Sequence, residues 1–408
     1  MTSNPDSFQK HTDGDIRLLP AIGLSSSGIR FENRHFKLDK EALSRVKNDD
    51  GEKYPDWLIE LIHPEWKINV KNFERYDEEF FKKIGIQYRE FKNSSHIEMG
   101  EEAIKHLLDQ LKQKSNIDIN SNNTGIIMST GTILDSNSQL PLRSDINKAN
   151  STLERIAENT SLKALGIVNE ACNGYIGGIS LAAEMLNSSD ELKHVVILTN
   201  DMLSRIVDFS DGNTCVLFGD QATASIVTKE NHEGAKILGE RKKYYREFVD
   251  DRGNPTTEAK GEDVLFNDDG KNTDGKPKIR MNGKPTFRRA VNDMSEGVIE
   301  LANHLGIENI DHLLTHQANK VIVEKIIEKV KAKFPNITAP IFMKKGNVSS
   351  SSIPLLIYAI LNTPKEILLE IEEELKTENI QWKDGDIIAL TAWGAGIHTR
   401  SMLLKYIR

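Results

Sequence analysis

The residues with the clearest capacity for chemistry lie in the stretch Glu170-Ala171-Cys172-Asn173-Gly174-Tyr175. An apolar run, residues 164–168, leads into it, and a run of small and apolar residues, 176–186, leaves it. That order predicts strand, tight turn and helix, with Cys172 facing the first turn of the helix. Unpaired N–H groups and the helix dipole at such a place favour a thiolate, so Cys172 is expected to be a nucleophile with a depressed pKa. Gly174, Gly177 and Gly178 thin that first turn, so a substrate or a neighbouring strand can approach the backbone. A buried structural cysteine is the plainer alternative. It is the reading adopted for Cys215, which lies in an apolar stretch.

Other apolar segments also end in polar tips. These are Thr315-His316-Gln317-Ala318-Asn319 and Gly346-Asn347-Val348-Ser349. A glycine turn, Trp393-Gly394-Ala395-Gly396, offers exposed backbone N–H groups. Taken singly, His316 reads equally as a core histidine and Asn347 as a turn residue. Together, a thiol nucleophile, an imidazole, a carboxamide and a glycine turn form the set that acyl transfer needs.

The elements that must position these groups alternate in type. Residues 99–113 carry a helical stripe, Ala103, Leu107, Leu108 and Leu111, and residues 123–132 read as a buried strand. Residues 194–200 form a wholly apolar strand of the kind buried on both faces. Residues 215–227 read as two short strands around a glycine turn. A second α/β series follows, with a helix at 287–305, a strand at 311–315 and a helix at 320–334 striped by Val321, Ile322, Ile326, Ile327 and Val330. Residues 125–132 echo 311–317, and 215–227 echo 388–403, which suggests a duplication. The expected organisation is a loose tail at 1–15, a first half at 16–235, a polar insertion at 236–278 and a second half at 279–408. Residues 33–72, with Trp57 and Trp66, read as a helical elaboration without assigned chemistry.

Composition narrows the classes. The chain has 408 residues, 38% hydrophobic and 28% charged, which suits a duplicated globular protein. A formal net charge of −8 argues against nonspecific nucleic-acid binding. With only two cysteines, neither a disulfide scaffold nor a cysteine-ligated metal site is expected, and a reducing cytoplasm fits. No apolar run approaches membrane-spanning length.

The chain resembles the β-ketoacyl-acyl-carrier-protein synthases III, the ketosynthase III branch of the thiolase superfamily. The resemblance rests on Ala171-Cys172-Asn173-Gly174-Tyr175, His316-Gln317-Ala318-Asn319 and Gly346-Asn347-Val348-Ser349. Phe218-Gly219-Asp220, Met281-Asn282-Gly283 and Trp393-Gly394-Ala395-Gly396 add to it, in family order from about residue 80 onward. It implies a thiolase-like duplicated α/β fold of five layers, αβαβα, and a homodimer. It implies Cys172 as acyl carrier, an oxyanion hole from the N–H groups of Cys172 and Ala395, and His316 and Asn347 as donors to an enolate. The substrates would be acyl-CoA or acyl-carrier-protein thioesters, with no permanently bound cofactor. The implied reaction is decarboxylative Claisen condensation with a malonyl- or β-ketoacyl-type thioester, in a specialised fatty-acid or polyketide pathway. The alternatives are ester or amide formation without loss of CO2, a ketosynthase-cyclase of the dialkylresorcinol type, and a non-catalytic partner subunit.

Several positions depart from the family's pattern. Glu79 stands where a CoA-stacking tryptophan is common, Lys83 where arginine is usual, and Ala395 replaces the middle glycine of the glycine turn. A starter delivered by acyl carrier protein is therefore favoured over CoA. Lys320, Lys325, Lys329, Lys331 and Lys333 would offer that acidic partner a docking face, the alternative being an ordinary solvated surface. Glu170 is unusual two residues before the nucleophile. It is either a structural carboxylate or an auxiliary base for a further condensation or cyclisation.

Overall fold

A computed structural model describes residues 6–11, 14–62, 76–114, 117–132, 146–209, 211, 214–244, 264–267, 278–281, 283–362, 382–394 and 398–408. The strands are β1 Asp6–Lys10, β2 Arg17–Leu24, β3 Ile29–Glu32, β4 Tyr88–Phe91, β5 Thr124–Ser129, β6 Lys163–Val168 and β7 His194–Met202. They continue as β8 Asp220–Thr228, β9 Gly234–Tyr244, β10 Val264–Asn267, β11 Lys278–Met281, β12 His312–Thr315, β13 Ile387–Gly394 and β14 His398–Ile407. The helices are α1 Lys40–Arg45, α2 Asp56–Ile62, α3 Glu78–Ile84, α4 His96–Lys114, α5 Ile146–Asn159 and α6 Gly174–Ser188. The last three are α7 Gly283–Leu305, α8 Lys320–Lys331 and α9 Ser352–Asn362.

The duplication expected from the sequence is plain in the strand order. In the first half, β6, β5 and β7 run parallel, and β8 and β2 follow antiparallel. In the second, β12 and β13 run parallel, and β14 and β9 follow antiparallel. The halves join where β2 touches β9, through the pairs Arg17↔Lys236 and Leu18↔Ala235.

Alternation along the strands builds the layers. On β5, Ile126 and Met128 face α4 and α5, while Ile127 faces the centre. On the other half, Ala389 and Leu403 face α7 and α8, while Leu390 and Leu404 face inward. The central layer is α6 and α9, whose Ile176, Ile179, Ile353 and Leu356 meet both sheets. Being covered on two sides, these helices lack a polar face. Each buried isoleucine or leucine there contributes roughly 1.5–3 kcal/mol. The result is the five-layered αβαβα thiolase-like arrangement.

Three expectations need correction. Residues 1–15 are not all loose tail, because β1 pairs antiparallel with β9 and Asp6 bridges Arg241 at 2.7 Å. Residues 215–227 hold one strand rather than two. The segment before β8 is a turn with a single bridge, Phe218↔Asn347, so the first-half counterpart of 388–403 is β7 with β8. The polar insertion begins later than 236, since β9 runs to Tyr244, and part of it returns as the hairpin β10–β11. Residues 245–263 and 268–277 lie outside the described residues. Trp66 and most of the end of the 33–72 elaboration do too. Its described part, α1 and α2, packs Leu43, Leu58 and Ile62 with Phe31 and Phe36 in a core shared with Phe209, Cys215, Phe218, Val323 and Met343.

Candidate active site

Cys172 sits in a short 3-10 turn, Ala171–Asn173, between β6 and α6. Ala171 opens the turn in the left-handed region, at φ 46. For a residue with a Cβ this costs roughly 1–2 kcal/mol, so the surroundings must hold it. The three glycines of α6 face protein rather than an open cleft. A Cβ at Gly174 would lie 1.8 Å from Ser129 Oγ, at Gly177 2.8 Å from Glu170 Oε2, and at Gly178 2.7 Å from Ile197 Cγ2.

His316 follows β12 directly, its N–H donating to the Thr391 carbonyl at 2.8 Å. Gln317 and Asn319 of the same run are structural. Gln317 accepts from Phe342 N–H at 2.8 Å, and Asn319 caps α8 by accepting from Ile322 N–H at 3.0 Å. Asn347 lies beside the turn before β8, its N–H donating to Leu217 O at 2.8 Å and its carbonyl accepting from Gly219 N–H at 3.1 Å.

These groups meet at Ser349, a second left-handed residue with φ 52. Its N–H donates to Asn347 Oδ1 at 3.0 Å. Its side chain lies near enough to Cys172 to favour the charged sulfur, and its backbone near enough to His316 to favour the charged imidazole. Because Asn347 Oδ1 is occupied, the carboxamide is oriented with its NH2 free to donate. The structure thus brings Cys172, His316 and Asn347 together. Ala395, the other expected oxyanion donor, lies outside the described residues.

Electrostatics overturn one expectation. Burial pushes the Cys172 thiol up to about 12, with the charge of Asp201 adding to it, while Ser349 and the cysteine's own N–H pull the other way. The residue is half-buried, and the direction of the shift is opposite to the one a helix terminus gives. Burial also pulls His316 down to about 4, so its imidazole is neutral through the physiological range and carries one N–H. Its buried Nδ1 has no hydrogen-bond partner among the described residues.

Asp201, at the end of β7, was missed by sequence reasoning. Its Oδ1 accepts from Gly131 N–H at 2.9 Å and its Oδ2 from the Ser350 hydroxyl at 2.7 Å. Burial raises its carboxyl above the ordinary range in spite of these donors. The available signal was a polar Asn200-Asp201 pair closing an otherwise apolar strand. Glu170 is committed elsewhere. Arg400 donates to both its oxygens, at 2.5 and 2.7 Å, and Lys242 adds a bond at 3.2 Å. Burial raises that carboxyl, but Arg400, His398 and Lys242 prevail and hold it at about 2. Cys215 is fully buried, its thiol pushed up to about 12 by burial, as a structural cysteine should be. Among the described residues no cluster of His, Cys, Asp and Glu is placed to hold a metal, and no helix is long and apolar enough to cross a membrane.

Comparison with known proteins identifies the family. Residues 168–243 match the model of 3-oxoacyl-[acyl-carrier-protein (ACP)] synthase III, and 301–367 that of its C-terminal domain. The β-ketoacyl-[acyl-carrier-protein] synthase III of Wolbachia sp. subsp. Brugia malayi is 31% identical over 242 residues, covering 59% of this chain and 67% of the relative. The chain belongs to the β-ketoacyl-[acyl-carrier-protein] synthase III family. That family is one of acyl-transferring condensing enzymes. The Aquifex aeolicus member is 30% identical over 251 residues, covering 60% of this chain and 69% of its own length. The crystal structure of the Aquifex aeolicus VF5 synthase III superposes with a TM-score of 0.62 at 22% identity, covering 96% of this chain and all of that one.

Glu79 is exposed on α3, and Phe80 beside it packs on Tyr76 at 4.7 Å between ring centroids. On α8, Lys320 is only 19% exposed and its Cβ packs against Gly85, so it is part of the α3–α8 contact. Lys325 is exposed but ion-paired with Glu328 at 2.5 Å. Lys331 and Lys333 are exposed at the far end.

Proposed function

We propose that this chain condenses an acyl thioester with a malonyl- or β-ketoacyl-type thioester. Cys172 Sγ attacks the acyl carbonyl. The carbon–sulfur bond to the carrier breaks, and the proton lost by Sγ is balanced by the one the leaving thiolate takes up. The N–H of Cys172 opens the 3-10 turn, where no intrahelical acceptor exists, and would steady the oxyanion together with Ala395. A malonyl-type second thioester then loses CO2 from its α-carbon. The resulting enolate oxygen receives hydrogen bonds from the Asn347 NH2 and the neutral His316 N–H, each worth about 3 kcal/mol in a dry site. The enolate carbon attacks the acyl-Cys172 carbonyl, the new carbon–carbon bond forms as the carbon–sulfur bond to Cys172 breaks, and the released thiolate takes a proton from solvent.

The observation that carries this reading is Ser349 N–H on Asn347 Oδ1, which leaves a neutral donor aimed away from its own backbone. We further infer a homodimer working in the cytoplasm within a specialised fatty-acid or polyketide pathway. It would take acyl groups from acyl carrier protein docked by α8, chiefly through Lys325, Lys331 and Lys333, with acyl-CoA as the lesser donor. The test is intact-mass detection of an acyl adduct, lost in Cys172→Ala, together with release of labelled CO2 from malonyl thioester. An adduct without CO2 release would mean simple acyl transfer, and no adduct with any thioester would mean a non-catalytic chain.

A further inference from the structure

We infer that Glu170 and Arg400 form a positioning pair that holds the Cys172 turn against β14 and sets the rate of acyl transfer rather than the binding of the acyl donor. This rests on the reaction proposed above.

Cys172 is tied down on both sides to one strand. Before it, Glu170 receives the Arg400 fork, Nε to Oε2 at 2.5 Å and Nη2 to Oε1 at 2.7 Å. After it, Asn173 Nδ2 donates to the His398 carbonyl at 2.7 Å, and Asn173 Oδ1 accepts from Arg400 N–H at 3.2 Å. The guanidinium is itself fixed, because its Nη1 donates to Glu240 Oε2 at 2.9 Å. Glu240 also accepts from the Ser180 hydroxyl of α6. The pair therefore joins β6, α6, β9 and β14 around the nucleophile. A bidentate carboxylate–guanidinium contact fixes direction as well as distance, which a single hydrogen bond does not.

The turn needs such a frame. Ala171, between the pair and the nucleophile, has φ 46 and no glycine's freedom to adopt it. A strained residue of this kind persists only where its neighbours over-determine it. The site has also been cleared for the carboxylate, since any Cβ at position 177 would meet Glu170 Oε2 at 2.8 Å. Glu170 is not placed to act as a base. Both its oxygens are engaged, and its carboxyl is held at about 2, far below the range in which it would accept a proton.

The test follows the first half-reaction alone. Acyl adduct formation on Cys172 is timed by intact mass with acetyl-CoA, octanoyl-CoA and the matching acyl-carrier-protein thioesters, for wild type, Glu170→Gln, Glu170→Asp and Arg400→Lys. The same proteins are alkylated with iodoacetamide, a small reagent that needs no aligned donors. For Glu170→Gln we expect the maximal acylation rate to fall about 100-fold, with the half-saturating thioester concentration within about threefold of wild type. Alkylation should fall by less than about tenfold, and Glu170→Asp, which keeps the charge, should recover part of the loss. Acylation at the wild-type rate, equal losses in acylation and alkylation, or a Glu170→Gln pH profile that loses its acidic limb would each overturn the inference. If Glu170→Gln does not fold, Arg400→Lys and Glu170→Asp decide it by the same ratio of acylation to alkylation. A wild type that takes no acyl group removes the proposed reaction and this inference with it. A wild type that does, beside a full-speed Glu170→Gln, removes this inference alone.

Discussion

Two turns of the same shape sit in equivalent places in the two halves. In the first, Ala171 at φ 46 opens a 3-10 turn that leads into α6. In the second, Ser349 at φ 52 opens a 3-10 turn, Ser349–Ser351, that leads into α9. The residue after the strained one is Cys172 in the first turn and Ser350 in the second. The residue before it is a clamped carboxylate, Glu170, in the first and an apolar Val348 in the second. The same backbone device thus presents a side chain from a helix start in both halves. One copy offers the proposed nucleophile. The other has turned inward, Ser350 bonding Asp201 and Ser351 bonding Thr199 at 2.7 Å, and serves to place Asn347. The comparison teaches that the chemistry was divided between the copies, with the reacting atom in one and its orientation in the other.

The sharpest way to break that division is Asn347→Asp. A carboxylate cannot donate to an enolate, so condensation and CO2 release should fall by a factor on the order of 100–1,000, while acyl-Cys172 still forms. Loss of the adduct as well would show that the second turn also drives the first half-reaction. Ser350→Ala is the next test. It strips a donor from buried Asp201 and should cost about 1–3 kcal/mol in denaturant unfolding, with the adduct retained. If it abolished the adduct as Cys172→Ala must, the two turns would be chemically equivalent and the comparison wrong. The smallest effect is expected from Asp201→Asn. Its charge raises the Cys172 pKa, so neutralising it lowers that pKa, and the pH profile of iodoacetamide alkylation should move to lower pH. An unmoved profile would mean that Asp201 is sensed only through Ser350.

The sequence was informative where function sits at strand ends. Cys172 and His316 come just after the apolar strands β6 and β12, and a run that stops at polar residues marks the rim of a buried sheet, whereas Asn347 follows a Lys344–Lys345 turn and no strand, so the strand tip expected there is absent. The duplication was visible for the same reason, through repeated strands and helix stripes. What escaped detection depends on partners far apart in the chain. Glu170 and Arg400 are 230 positions apart, and no local pattern announces their fork. Asp6 and Arg241 are 235 apart, so residues 6–10 read as tail when they are strand. The thiolate expectation failed for a different cause. A helix start is legible in sequence, but the depth at which it is buried is not, and at Cys172 that depth decides the charge. Residues 215–218 read as a strand because they are apolar. They are apolar because the turn they form is covered by the Phe31–Phe36 core.

The strand β1 gives the extreme N-terminus a reach that its position in the chain conceals. Its residues Ser7 and Gln9 pair with Lys242 and Glu240. These are the two β9 side chains that bond Glu170 and Arg400. Trimming the first ten amino acids, or fusing a bulky tag that peels them away, would therefore bare one flank of β9 and slacken the acidic latch behind the sulfur. A preparation that is folded yet sluggish could owe its slowness to nothing nearer the pocket than its own front end.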